Sequence, residues 1–262
     1  MAKKKMKLML IIGGGKFGKK AIDYARANSY RLILVDKDPN CPCSSQVARS
    51  VKDPKLLVSQ VMDSPPKEGI FLNHDLSRLH ELILSLQPDI IIPVVPIHVL
   101  SSILVGFLGS HEVFLAPDPN AADEFSENAD QDLILHVGKD QGVAYLSYAK
   151  SDETCPDSCP GPLDYCPHFH REKPITMTGY VRKYFNRSGS INIKRDEWLK
   201  MEFLLDSQQL APGLGGLSGE DVLEMLNFLD EHLQEIRDHS IKLIVGTTCN
   251  CHGVLNFYEK EK

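Results

Sequence analysis

Between Cys155 and His170 the chain carries three cysteines and two histidines in the spacing C-x3-C-x6-C-x-H-x-H, and proline follows each cysteine. Thiolates and imidazoles are the donors that bind zinc and iron–sulfur clusters. Cys155 and Cys159 have the spacing of a zinc-site pair, and Cys-Pro closes one ferredoxin pattern. Most such centres take four ligands. A fourth would come from His168, His170 or elsewhere, and a second group, Cys249 and Cys251 followed by His252, lies near the C-terminus. The expectation is that Cys155, Cys159 and Cys166 bind a metal centre, iron–sulfur or zinc, with Cys249 or Cys251. Free thiols in a surface loop, or a pair cycling through a disulfide, are the alternatives. Cys41 and Cys43 read as loop thiols or additional ligands. The total of seven cysteines is odd, which in a reducing compartment favours ligation or reactivity over structural cross-links.

A second constellation opens the chain. Residues 7–12 (KLMLII) have strand length and composition, and GGGKFG follows at once. Gly13, Gly15 and Gly18 fit G-x-G-x-x-G, with Lys16 and Phe17 between them. A helical apolar stripe (Ala21, Ile22, Tyr24, Ala25) comes next, then the strand RLILVD ending at Asp36. In this context Gly13 allows the turn, Gly15 admits a pyrophosphate, and Gly18 lets helix and strand pack closely. The helix N-terminus offers free N–H groups. Asp36 lies 23 positions after Gly13, near the offset of a ribose-binding acid, which favours NAD or another unphosphorylated ribose. A βαβ unit with an empty pocket is the alternative.

The elements around these residues alternate. GIFLN (69–73), DIIIPVV (89–95) and EVFLA read as strands; 75–87 and the stretch from Ile97 read as helices, the first capped by Asp75 or Ser77. This alternation implies an α/β fold with a doubly wound, Rossmann-like parallel sheet over residues 1–118. Residues 119–262 form a smaller cysteine-rich part. Residues 119–132 read as a linker or surface helix there, and LILHVG and VAYLSYAK as a hairpin around KDQG. A second strand–glycine loop–helix–strand unit runs from FLLDSQ to IKLIVGTT, with Gly213, Gly215, Gly216 and Gly219 in its loop and Ser218 capping the helix. That loop would cradle a second anion or simply turn the chain. If both units share one sheet, the cysteines and the nucleotide lie along one edge. Trp198 reads as a packing residue, and Arg182, Lys183 and Arg187 as a solvated basic face.

The segment from about residue 6 to 118, on the strength of its GGGKFG and Asp36, resembles the NAD-binding domains of the TrkA type. It is more loosely similar to the N-terminal domain of ATP-grasp ligases, although the chain beyond residue 118 is too short for the two further lobes of such a ligase. The resemblance implies a Rossmann-type domain holding NAD or a related nucleotide.

The formal charge of −6 argues against nucleic acid and anionic membranes, which demand clustered positive charge; the run Lys3–Lys5 is short. Leu8–Ile12 is shorter than a secretory apolar region, and no stretch reaches the ~20 apolar residues of a membrane helix. These features lead to an expectation of a cytoplasmic protein. Its partner would be a small-molecule substrate or another protein, with homo-oligomerisation left open. Two functions remain. One is a dinucleotide-binding redox protein with its metal centre near the nucleotide; as an NAD-dependent oxidoreductase it would move a hydride to or from a small substrate. The other is a TrkA-like regulatory module with structural zinc. No acid–base set is evident, so catalytic residues are unassigned.

Overall fold

The computed structural model describes residues 7–51, 53–63, 65, 68–186, 189–195 and 198–261. Lys3–Lys5, Ser64, Pro66, Lys67 and Arg187 lie outside the described residues. In chain order the elements are β1 (Leu8–Ile12), α1 (Lys16–Ala27), β2 (Arg31–Asp36), β3 (Arg49–Val51), α2 (Pro54–Asp63), β4 (Gly69–Asn73), α3 (Leu79–Leu86), β5 (Ile90–Pro93) and α4 (Val99–Ser110). There follow β6 (Leu115–Pro117), α5 (Pro119–Asn128), β7 (Ile134–Gly138), β8 (Val143–Ser147), β9 (Tyr165–Cys166), β10 (Arg171–Glu172), α6 (Met177–Tyr184) and β11 (Ile191–Arg195). The chain ends with β12 (Leu199–Asp206), β13 (Gln208–Ala211), β14 (Leu214–Ser218), α7 (Gly219–Glu231), α8 (Leu233–Asp238), β15 (Ile241–Thr248) and β16 (His252–Lys260). The fold is mixed α/β, in two units. One is built from Met1–Phe107 with Leu214–Glu224, the other from Leu108–Gly213 with Met225–Lys262.

The first unit is organised around β1, buried at every position. A strand apolar on both faces must be covered on both faces. Within this unit the strand order is β14-β5-β1-β2-β4-β3. The chain builds outward from β1 through β2, then crosses to place β5 on the other side. β1, β2, β3, β4 and β5 pair in parallel, whereas β14 joins β5 antiparallel, with Leu217 opposite Ile91. The sheet is therefore mixed and not the wholly parallel one expected. Gly215 and Gly216 belong to β14 and Gly219 begins α7, so most of the expected glycine loop is strand. Pairing with β5 and burial of Leu214 and Leu217 override the low strand propensity of glycine. Ser218 does cap the helix, its Oγ accepting from the Asp221 N–H at 3.2 Å.

The second unit is no small annex. It has its own sheet, ordered β11-β12-β15-β16-β8-β7, with β6 also paired to β16. Cysteine turn and glycine turn thus belong to different sheets, and the single shared edge does not exist. β12 and β15 run parallel from Leu199 opposite Ile241 to Asp206 opposite Thr248; the other pairs are antiparallel. Its core gathers Phe125 from α5, Met177 and Val181 from α6, and Leu204, Leu255 and Phe257 from the sheet. Residues 119–128 form α5, capped by Asp118, whose carboxylate accepts from the Ala121 N–H at 3.0 Å. Among the described residues no helix is long and apolar enough to cross a membrane.

Candidate metal centre

Cys249, Asn250 and Cys251 form the turn that joins β15 to β16, closed by a hydrogen bond from the Cys249 N–H to the His252 carbonyl at 2.9 Å. The first N–H groups of a helix have no partners within it. Here the Met177 and Thr178 N–H groups of α6 donate to the carbonyls of Asn250 and Cys249, both at 3.2 Å, and Thr176 caps Gly179. The Cys251 carbonyl accepts from the Tyr148 N–H at 3.1 Å. The turn is fixed from two elements before its side chains are considered.

The 155–166 segment is held against this turn. The Asn250 side chain donates to the Gly161 carbonyl at 2.7 Å. Arg171 grips Glu153 through two hydrogen bonds of 2.8 and 2.9 Å, and this contact holds the Glu153 carboxyl below the usual range. β9 and β10 pair so that Cys166 faces Arg171 across the ribbon. Gly161, at φ +59°, directs its N–H to the Cys159 sulfur at 3.4 Å.

These anchors bring the two cysteine groups together. Cys155 Sγ lies 3.5 Å from His252 Nε2, and Cys249 Sγ lies 3.9 Å from Nδ1 of the same ring. Burial pushes the Cys155 thiol up, and the nearby thiols of Cys159, Cys166 and Cys251 push it further. Burial also raises Cys251, against the pull of Lys173. Lys173 is 3 % exposed, and its Nζ donates to Cys251 Sγ at 3.1 Å and to the Pro162 carbonyl. His252 is pushed below the usual imidazole range by desolvation and by Lys173, although the residue as a whole is exposed.

All seven cysteines are free thiols. Among the described residues, no group of three or more His, Cys, Asp or Glu side chains is arranged so that it could hold a metal ion. The Cys155 and Cys249 sulfurs approach opposite nitrogens of the His252 ring, which stands between the two cysteine groups. His168 and His170 are exposed, and His170 Nδ1 sits 3.1 Å from the Tyr165 hydroxyl. His252 and Lys173 are absent from the expected ligand set. His252 had a signal in its place beside Cys251; Lys173, between Glu172 and Pro174, had none. A shallow depression of about 370 Å³ adjoins Cys249 and His252, walled by Leu135, Tyr145, Thr247 and Val254.

In the first unit, Gly13 adopts φ +114°, and a Cβ there would meet the Val94 carbonyl at 2.6 Å. Gly18 packs on Gly13, and Gly15 faces open space, with Lys16 and Phe17 exposed beside it. Asp36 is turned into the glycine turn. Its Oδ2 accepts from the Gly14 N–H at 2.7 Å and its Oδ1 from the Asp38 N–H at 2.9 Å. Cys41 and Cys43 are buried on the same turn. Cys43 donates to the carbonyl of Gly15 through its sulfur and to that of Gly14 through its N–H; Cys41 Sγ covers Gly14.

Comparison with known proteins corrects the TrkA-type resemblance: no such family is matched. Residues 8–99 match the family model AF_1314_N, described as "Uncharacterized protein, N-terminal domain", and residues 103–261 match AF_1314_C, described as "Uncharacterized protein, C-terminal domain". A protein of Archaeoglobus fulgidus described as "Uncharacterized protein" is 27% identical over 247 residues, covering 94% of this chain and 96% of the relative. No solved structure matches. A strand, a glycine turn, a helix and an acid ending the next strand mark a βαβ unit and not one family, so they do not single out the TrkA type. The chain belongs to the AF_1314 family.

Proposed function

We propose that this member of the AF_1314 family is a redox protein whose second unit carries a cysteine-ligated metal centre, iron–sulfur or zinc. Cys155, Cys159, Cys166 and Cys251 are its ligands, and His252 and Cys249 flank it. The observation that carries this reading is the meeting of residues 97 positions apart, Cys155 Sγ and His252 Nε2, at 3.5 Å. Cys251 is favoured over Cys249 because its sulfur lies 4.0 Å from the Pro162 carbonyl, within the 155–166 segment. Two further features support an anionic, thiolate-rich site. The Gly161 N–H points at the Cys159 sulfur. The buried Lys173 ammonium lies against Cys251, and a buried cation demands a counter-charge. The depression beside Cys249 and His252 would receive the redox partner. The test is metal and sulfide content, with an absorption spectrum, of full-length protein purified without oxygen. Iron with sulfide supports the centre and its redox role; one zinc per chain, which is redox-inert, supports the centre and overturns the redox role; neither metal in protein reconstituted with both overturns the centre.

A second reading concerns the first unit, where a phosphate-bearing nucleotide, NAD among them, would sit at Gly13–Gly18 near the amino end of α1. It is favoured by the position of the turn, at the point where the strand order reverses beside β1, and by the open space at Gly15. Asp36 would serve the ribose only through the lone pairs that Gly14 and Asp38 leave unused. Calorimetric titration with NAD and with ADP-ribose tests it; absence of heat with both removes this reading and leaves the metal centre standing.

A further inference from the structure

Lys173 and Cys251 are 78 positions apart in the chain and meet in the second unit, Nζ 3.1 Å from Sγ. The lysine is 3 % exposed. Both ends of the contact are tied through the backbone. The Lys173 N–H donates to the Asp164 carbonyl at 2.7 Å, and the Cys251 carbonyl accepts from the Tyr148 N–H at 3.1 Å. The Asn250 side chain, one residue before Cys251, donates to the Gly161 carbonyl at 2.7 Å. Lys173 Nζ also donates to the Pro162 carbonyl. The amine is thus fixed between the 161–164 stretch and the β15–β16 turn, and aimed at a sulfur.

Holding two groups in place turns a reaction between them into an effectively unimolecular one. A free thiol ordinarily oxidises to a sulfenic acid, and from there to a disulfide or a higher acid. At Cys251 the group held against the sulfur is an amine. The sulfur's other contact, the Pro162 carbonyl at 4.0 Å, is no nucleophile. Cys251 is half-buried, which admits a molecule as small as dioxygen while Lys173 stays shielded from bulk water.

We propose that Lys173 and Cys251 are a modification site, joined on exposure to dioxygen by a reversible cross-link in which one oxygen atom bridges the lysine nitrogen and the cysteine sulfur. Counted from amine and thiol, one N–H bond, the S–H bond and the O–O bond break. An N–O and an O–S bond form, and the second oxygen leaves as water with both hydrogens. Dioxygen takes four electrons, two from nitrogen and two from sulfur. Two equivalents of a dithiol return them, restoring amine and thiol and releasing the bridging oxygen as water. The regulatory consequence rests on the proposed metal centre: the bridge withdraws the Cys251 sulfur from it, so oxygen would close an empty site and a bound metal would protect it.

The experiment takes full-length protein purified without oxygen, frees it of metal with a chelator, and exposes one half to air. Mass spectra are recorded of the intact chain and of its proteolytic peptides. The expected product has gained one oxygen and lost two hydrogens. It is carried by a peptide pair joined at Lys173 and Cys251, and dithiothreitol reverses it. Lys173→Arg and Cys251→Ser, shown to be folded by thermal melts, should lose the product. An unchanged mass after air exposure, Cys251 found in a disulfide or as a sulfinic acid, or the product persisting in Lys173→Arg overturns the proposal. Metal uptake by the anaerobic half is measured separately: no uptake there removes the centre and leaves the cross-link to be judged on the mass spectra alone.

Discussion

The ammonium of Lys173 lies 3.1 Å from the sulfur of Cys251, and the lysine is 3 % exposed. No carboxylate pairs with it among the described residues. Its other side-chain contact is the Pro162 carbonyl, which is neutral. Burial disfavours a free thiolate at Cys251, so in the proposed centre the metal-bound thiolate would be the counter-charge within reach, and the negative charge of four thiolates would account for a cation beside them.

Lys173→Gln should therefore weaken metal retention by about 10–100-fold, the usual scale for a partner of a ligand, measured by competition with a chelator. Lys173→Arg, which keeps the charge, should recover part of the loss. Equal retention in all three proteins would mean that Lys173 serves packing alone.

Serine replacements sort the thiols. Cys155→Ser, Cys159→Ser, Cys166→Ser and Cys251→Ser should each lower metal content severalfold, and Cys249→Ser should not. Loss on Cys249→Ser with retention on Cys251→Ser would exchange the roles of the two turn cysteines.

Cys41 and Cys43 should behave differently. Both are buried; burial pushes both thiols up, with Asp36 adding to the effect at Cys41 and Cys41 at Cys43. A raised thiol pKa leaves less thiolate at neutral pH, so alkylation of the native chain should be slow and should accelerate as pH rises above the ordinary thiol range. Mass spectrometry after iodoacetamide pulses reads this out. Rapid labelling of either at neutral pH would show that the loop over Gly14 opens.

How much of this was legible in sequence differs by element. β1, α1, β2 and the β7–β8 hairpin follow from local apolar periodicity and turn residues, because their partners are close in the chain. β14 was illegible: LGGLS has too few side chains to announce a strand, and its order comes from β5, more than a hundred residues earlier. The cysteines were legible as a chemical type. Their meeting was not, since it depends on Asn250 reaching Gly161 and on α6 donating to the turn. Lys173 was illegible because a lysine carries no sequence sign of burial.

At the glycine turn, Gly15→Ala separates structure from binding. A Cβ there meets nothing within 4 Å, and φ is −85°, so the melting temperature should change by no more than a few degrees. If a phosphate approaches this backbone, nucleotide affinity should fall at least about tenfold, because the added methyl blocks that approach. Unchanged nucleotide affinity would remove Gly15 from the binding surface.

The Asp118–Lys242 pair makes a stability prediction. Lys242→Met leaves the buried Asp118 carboxylate with only the Ala121 N–H; because the Lys242 side chain is 30% exposed and water screens the pair, the cost should fall below the about 3–5 kcal/mol of a fully buried pair. Asp118→Asn keeps the helix cap and should cost less. Chemical denaturation measures both, and equal stability of Lys242→Met and the parent would contradict the pairing.

X-ray absorption at the metal edge, on anaerobically purified full-length protein, reads the ligands of the proposed centre directly. Coordination by Cys155, Cys159, Cys166 and Cys251 gives a first shell dominated by sulfur at about 2.3 Å. A shell of oxygen and nitrogen alone would contradict it.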